Sequence, residues 1–114
     1  MIDYHKEIVA TLQKILPTHY EMQLTSGSSL PCISYMELSN VDNTTGETLG
    51  YSTLSYQVKV WAHSLQELQT YAQHIDTAMR GLGFARVGSA ELFNNQNTIM
   101  QKVLTYDALA VENY

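Results

Sequence analysis

Between Thr53 and Ala62 the chain alternates polar and apolar residues, which is the clearest pattern in the sequence. A period of two places successive side chains on opposite faces of a sheet, so we predict a strand with one face on a core. The core face consists of Leu54, Tyr56, Val58, Val60 and Ala62. On the other face, which is otherwise polar, Trp61 is the exception. Either a helix end covers its ring, or the ring is exposed and contacts a partner.

The N-terminal segment, residues 3–16, has apolar residues at helical spacing along one face. They are Tyr4, Ile8, Leu12, Ile15 and Leu16. Asp3 is expected to cap the first turn of this helix. Pro17 is expected to end it, because proline clashes with the preceding turn and disfavours helical geometry at the residue before it.

A second helix is predicted after the alternating strand. Ser64 and Glu67 have the spacing of a capping box, which marks a helix start. The apolar stripe that follows repeats at three and four residues and comprises Leu65, Leu68, Ala72, Ile75, Met79 and Leu82. Gly81 or Gly83 supplies the left-handed turn at the C-terminal end.

Four further segments, at 20–25, 32–38, 84–93 and 99–111, are predicted as strands. The short connection between the first two favours antiparallel pairing. Residues 94–98 are predicted as a hairpin loop, because they are rich in Asn, which tolerates left-handed backbone geometry. The order is therefore α-β-β-β-α-β-β. We predict one α+β domain over 1–114, a sandwich in which two helices cover one face of a mainly antiparallel sheet.

Residues 39–50 read SNVDNTTGETLG and are predicted as a long polar loop in the middle of the chain. Loops of about 12 residues without structure are uncommon unless they are functional or disordered. One interpretation is a lid over a ligand site, and another is an extension that reaches a neighbouring subunit. The third is a surface loop without a role, since lengthening a loop costs little free energy.

The composition favours contact with other protein. Charged residues make up 15% of the chain and Tyr occurs eight times, whereas about a quarter of an average protein is charged. Protein interfaces are rich in Tyr and poor in Lys and Glu. The net charge is -5 and the basic residues are scattered, so we expect no specific nucleic-acid binding. No apolar run approaches the roughly 18 residues of a membrane span, and no secretory leader is visible.

The residue types that usually carry chemistry do not form a recognisable site. The histidines have no metal-binding spacing and are expected on the surface: His5, His19, His63 and His74. Cys32, the single cysteine, is expected to be a packed thiol and excludes an internal disulfide. Asp42 and Glu47 fall in the predicted loop, where the pKa values of catalytic carboxylates would not be controlled. We therefore expect no catalytic, metal or cofactor-binding residues, no cofactor and no enzymatic activity.

Several short stretches occur in an order that matches one known protein family. A helix ends at Leu16-Pro17, a strand containing PCISY follows at 31–35, and the polar segment comes next. The strand YQVKVWA at 56–62 runs directly into the capped helix start SLQEL at 64–68. That helix ends in MRGLGF at 79–84, and the strand KVLTY at 102–106 closes the pattern. This arrangement resembles the tail terminator, or tail-to-head joining, proteins of long-tailed bacteriophages, including the small neck proteins known as minor capsid proteins.

The resemblance implies a structural virion protein of the tail or neck, assembled in the host cytoplasm. Its subunits would form a hexameric ring that ends the tail tube and contacts the tail tube protein and the head-tail connector protein. The negative net charge fits a lumen through which DNA passes without binding, because like charges repel. No membrane contact is implied. A related subunit of another machine, such as a contractile injection system, has the same expected pattern.

In such rings an extended loop contacts a neighbouring subunit or the tube, which makes the polar segment the candidate interface. The candidate residues, with the strand residue Trp61 added, are Asn40, Val41, Asp42, Asn43, Thr44, Thr45, Glu47, Leu49, Tyr51 and Trp61. The alternative function is a small ligand-binding or enzymatic domain with 39–50 as its lid. That alternative requires polar residues that converge near the base of the loop, and Glu37, Tyr51 and Lys59 are the available ones.

Overall fold

The computed structural model describes residues 4–20, 30–43, 51–94 and 99–111. Its elements follow the predicted order and confirm the α+β class. They are α1 (His5–Leu12), β1 (Thr18–Tyr20), β2 (Cys32–Asn43), β3 (Tyr51–Ala62), α2 (Leu65–Gly81), β4 (Ala85–Asn94) and β5 (Ile99–Val111). The strands form one sheet in the order β1-β2-β3-β5-β4.

Strand β3 lies at the centre of this sheet and is paired on both sides along its whole length. Its antiparallel register with β2 runs from Cys32 opposite Trp61 to Asn43 opposite Tyr51. Its antiparallel register with β5 runs from Met100 opposite Ala62 to Val111 opposite Tyr51. The other strands and both helices are therefore positioned relative to β3.

The alternation in β3 separates a covered face from an open one, as predicted. The five core-face residues from Leu54 to Ala62 are each 0% exposed. Both helices pack on this face and contribute their apolar stripes to a single core. The helix residues buried there are Ile8, Leu12, Leu68, Ala72, Ile75 and Met79.

The helices differ from the prediction in one limit and in the exposure of one residue. Helix α1 ends at Leu12, because the chain then tightens into a turn in which the Ile15 amide donates to the Leu12 carbonyl over 2.9 Å. The predicted cap Asp3 lies outside the described residues. In α2, Leu65 is 48% exposed although it was predicted in the apolar stripe, because it occupies the first helical position, one turn before the first buried residue.

The ends of α2 follow the predicted chemistry. The Ser64 hydroxyl accepts from the Glu67 amide over 3.2 Å and so satisfies one of the free donors of the first turn. Gly83 has a φ of 95°, a left-handed geometry that glycine adopts without a steric cost. Of the two glycines considered for the turn, Gly83 is the one that makes it.

The predicted antiparallel pairing of the first two strands is wrong. Strand β1 is parallel to β2, with Thr18 opposite Ile33 and Tyr20 opposite Tyr35. Because the two strands run in one direction, the chain leaves β1 at Tyr20 and enters β2 at Cys32, beside the opposite end, at which β1 begins. The rest of the predicted strand at 20–25 lies outside the described residues.

The predicted limit between strand and loop is also corrected. Strand β2 does not end near Leu38 but continues to Asn43, so the start of the segment predicted as a loop at 39–50 is paired with β3. A β-bulge between Glu37 and Ser39 leaves Leu38 without a partner and 46% exposed. The residues after the bulge are mostly polar, so apolar and polar residues do not alternate there. The periodicity of the sequence therefore does not indicate this part of the strand.

One half-buried carboxylate links α2 to the sheet. Asp76 accepts from the Arg80 Nε over 2.8 Å and from the Tyr106 hydroxyl over 3.1 Å, and Arg86 lies 3.9 Å away. Burial would raise the pKa of Asp76, but these hydrogen bonds and the charges of Arg80 and Arg86 outweigh it and lower the pKa. Burial, followed by the Asp76 charge and hydrogen bond, raises the pKa of Tyr106 well above its usual range.

We predict that Asp76→Asn lowers the free energy of unfolding at pH 7 by about 2 kcal/mol, because Tyr106 and Arg80 lose a charged acceptor. Since folding lowers the pKa of Asp76, its contribution is complete above the unfolded pKa of about 3.9 and is lost as the pH falls through the folded pKa. Urea unfolding between pH 7 and pH 3 should therefore show a smaller loss of stability in the variant. The control Asp107→Asn, on the opposite face of β5, leaves the contacts of Asp76 intact and should change stability at pH 7 by less than about 0.5 kcal/mol. Parallel curves for Asp76→Asn and wild type would contradict the assignment.

Candidate assembly surface

Three strands continue past the core and form an arm, which we define as 41–43, 51–53 and 109–111. At its root Leu54 is 0% exposed, whereas Leu109, opposite Thr53 in the arm, is 68% exposed. The molecule measures 54 by 23 by 23 Å, and its radius of gyration is 15.5 Å, compared with about 13 Å for a compact chain of this length. The arm is thus a paired extension of the sheet.

The structure separates the predicted interface residues into two places. Val41, Asp42, Asn43 and Tyr51 lie in the arm, and Asn40 lies at its root opposite Leu54. Thr44, Thr45, Glu47 and Leu49 lie outside the described residues. Trp61 lies at the other end of β3, about 33 Å from Tyr51 at about 3.3 Å per residue. The arm and Trp61 therefore lie at opposite ends of the central strand.

Trp61 lies on the open face of the sheet, opposite to the helices. Its indole Nε1 donates to the Ser34 Oγ over 3.0 Å, and the ring is half-buried. Ser34 is 3% and Cys32 is 1% exposed on the same face. The ring therefore covers part of β2, and its remaining surface is open to solvent or a partner.

The open face of β2, β3 and β5 carries few charges. Among its described side chains, the charged ones are Lys59 and Asp107. Other half-buried residues of this face are Met36, Gln57, Gln101, Val103 and Thr105. Within the described residues, the Gln101 Oε1 atom is buried and has no hydrogen-bond partner. A face with so few charges has the composition of a protein contact surface.

A carboxylate on the helix side of β2 holds the root of the arm. Glu37 accepts through Oε1 from the Tyr56 hydroxyl and from the Asn40 Nδ2, each over 3.2 Å. The His5 Nε2 lies 3.9 Å from Glu37 Oε2, and the His5 Nδ1 lies 3.3 Å from the Tyr35 hydroxyl. These contacts connect α1, β2 and β3 at the residue before the bulge, which fixes where the arm leaves the core.

The cluster around Glu37 was not predicted from the sequence. His5 was expected on the surface, but its side chain is 35% exposed and its ring lies 5.3 Å from that of Tyr20 and 5.7 Å from that of Tyr56. The available signal was the position of Glu37. Glu37 follows Ile33 and Tyr35 at a period of two, which predicts that its carboxylate lies on the buried face of the strand. A carboxylate in that position requires hydrogen-bond partners.

The residues required for a lid-covered ligand site do not converge. Glu37 lies on the helix face of the sheet and Lys59 on the open face, while Tyr51 belongs to the arm. Burial raises the pKa of the Cys32 thiol, which disfavours the reactive thiolate. In the part of the chain that the structure describes, no group of three or more His, Cys, Asp or Glu side chains could hold a metal ion. None of the described helices is long and apolar enough to span a membrane.

A polar groove of about 430 Å³ runs between α2 and the strands β4 and β5. Lys102, inside it, donates to Gln69 Oε1 over 2.9 Å and to Glu91 Oε1 over 3.1 Å. At the other end, Asp76 binds Arg80 and Tyr106. The charged groups named here are therefore paired within the groove, Lys102 with Glu91 and Asp76 with Arg80.

Comparisons with known proteins show similarity at the level of the fold. No family model matches the sequence, and no curated protein does. Among solved structures, 37 chains match. One of them belongs to a structure described as the virion of a native gene transfer agent particle. Its TM-score is 0.56 at 10% identity, and the match covers 92% of this chain and 84% of that chain. At this identity the likeness establishes a shared fold.

We predict that Tyr56→Phe lowers the free energy of unfolding by about 1 to 2 kcal/mol, because the ring is kept while a hydrogen bond to the Glu37 carboxylate is lost. The matched control Tyr71→Phe removes a hydroxyl outside the cluster and should change stability by less than about 0.5 kcal/mol. Urea unfolding measures both. Equal small changes in the two variants would show that the cluster does not hold the root of the arm.

Proposed function

We propose that the chain is a structural protein of a virion. The observation that carries this proposal is the fold match to a chain of a gene transfer agent virion, which extends over 92% of the present chain. The arm and the low-charge open face support the same proposal, because they suit contact with protein more than binding of a small molecule. Catalysis is not part of this function.

More specifically, we propose that the subunits form a ring that ends the tail tube and joins it to the head connector. The supporting observations are the sequence resemblance to tail terminator proteins and the arm, which extends past the core where a neighbouring molecule is within reach. The ring is expected to be hexameric, and its partners are the tail tube protein and the head-tail connector protein. DNA passes through its lumen without specific binding, in agreement with a net charge of -5.

The two separated contact regions have different proposed roles in this ring. The arm contacts a neighbouring subunit or the tube. Of the predicted interface residues, Val41, Asp42 and Asn43 lie in the arm and Asn40 lies at its root. The open face around Trp61, about 33 Å away along β3, contacts a different partner surface. A subunit with contacts at both ends of its sheet suits a joint between two assemblies.

We predict that the purified protein forms rings, alone or on the ends of tail tubes, and that replacing residues 44–50, which connect two strands of the arm, abolishes this assembly. Because Asn43 pairs with Tyr51, residues 44–50 can be replaced by Asn-Gly, a pair that closes a two-residue hairpin. This variant should retain the wild-type melting transition, since it leaves the core intact, and should form no rings. Light scattering and negative-stain electron microscopy measure the assembly.

The matched control replaces residues 95–98 by Asn-Gly between the paired residues Asn94 and Ile99. This second variant should form rings like the wild type. A wild-type protein that stays monomeric at high concentration and does not bind tubes would contradict the ring. Loss of cooperative melting in the variant that lacks residues 44–50 would show that this segment is structural.

A further inference from the structure

Strand β4 forms one edge of the sheet, with β5 beside it on the inner side. The chain on either side of the gaps at 21–29 and 44–50 belongs to β1, β2 and β3 or leads into them. Asn94 and Ile99, which flank the gap at 95–98, are paired with each other. Within the described residues, no strand therefore covers the outward-pointing donors and acceptors of β4.

This edge has few of the features that protect edge strands from pairing. It is 10 residues long and contains neither Lys nor Pro. Residues 85–91 are all exposed, and a Cβ added at Gly88 would meet nothing within 4 Å. The edge is therefore open to the addition of a further strand.

A bulge in β4 places Arg86 and Glu91 on the same face of the sheet. In a regular strand, two residues five positions apart lie on opposite faces. The bulge between Arg86 and Gly88 adds one residue, so Arg86, Ser89 and Glu91 occupy successive positions on one face. Opposite Ser89 lies Leu104, a core residue, so this is the helix side of the sheet.

This spacing makes the edge complementary in charge to itself. If two copies of β4 lie antiparallel with Ser89 opposite Ser89, Arg86 of each copy lies opposite Glu91 of the other. Side chains directly opposite each other have Cβ atoms about 4.5–5.5 Å apart, and opposite charges at that distance stabilise the pairing. On the other face, Gly88 lies opposite Ala90, and both residues are small.

Both charged groups have bonding capacity left for this contact. The Arg86 Nη1 lies 3.9 Å from the Asp76 Oδ1, which is too far for a hydrogen bond. Lys102 and Gln69 both donate to the Oε1 of Glu91, which leaves its Oε2 for another donor. The side chains of Arg86 and Glu91 are 41% and 43% exposed, so a second copy can reach both.

We infer that two copies of the chain pair along β4 as a symmetric dimer, with Arg86 of each copy bound to Glu91 of the other. The same surface contacts itself, so this contact closes with two copies. It goes beyond the proposed ring, which needs a different contact to extend past two subunits. The arm and the open face around Trp61 take no part in it.

Exchange of the two charges tests this contact. Arg86→Glu or Glu91→Arg alone places like charges opposite each other, so each variant should dimerise at least about tenfold more weakly than the wild type. An equimolar mixture of the two variants restores both opposite-charge pairs and should form a heterodimer. The control Lys6→Glu, on the exposed side of α1, changes the net charge as much as Arg86→Glu and should dimerise like the wild type. Analytical ultracentrifugation at one ionic strength measures the dissociation constants.

Cysteine cross-linking tests the register independently. Ser89→Cys places two thiols opposite each other within the distance that a disulfide spans, and the native Cys32 is only 1% exposed. Mild oxidation should convert this variant into a covalent dimer. The control Thr70→Cys, on the exposed side of α2, should stay monomeric.

The outcomes separate the dimer from the proposed ring. A wild-type chain without dimers at high concentration, or a mixture of the charge variants without heterodimer, would overturn the inference. Faster cross-linking of Ala90→Cys than of Ser89→Cys would show a different register and also overturn it. The variant that lacks residues 44–50 retains β4 and should still dimerise. Dimers without rings would therefore support the contact and reject the ring, whereas rings without the Ser89→Cys cross-link would do the reverse.

Discussion

The pairing of β3 with β2 and β5 is the interaction on which the rest of the structure depends. Both registers extend over the whole of β3, from Tyr51 to Trp61 on one side and to Ala62 on the other. The larger part of the strand, from Leu54 to Ala62, provides a fully buried face for both helices. Residues 51–53 continue past the core as the middle strand of the arm. Since a shift by one residue would turn the buried face outward, the core alternation also fixes which side chains the arm presents.

This constraint explains why the two faces of the sheet have different roles. The helices cover one face, where Asp76 and Glu37 each bind hydroxyl groups from the sheet. The open face keeps a half-buried Trp61 and few charges, so its surface is suited to protein contact. The packed core therefore lies on one side of the sheet and the low-charge surface on the other. That division would suit the proposed virion component, because partners could bind without disturbing the core.

The sequence predicted the elements whose pattern is local and repeated. The alternation of Leu54 to Ala62, the capped stripe of α2 and strand β5 at Ile99–Val111 all appear as expected. The parallel direction of β1, the extension of β2 to Asn43 and the Glu37 cluster were missed. Each depends on residues far apart in the chain, as in the contact of Glu37 with His5 and Tyr56. Periodicity reports which face a residue occupies and does not report its partner.

The proposed location of the chain is the joint between the head and the tail of a virion. Immunogold electron microscopy of particles from a lysate in which the chain carries an epitope tag measures this location. We expect label on purified particles, concentrated at the head–tail joint, and no label along the tail. Purified particles that lack the chain, or that carry it along the whole tail, would overturn the proposed location.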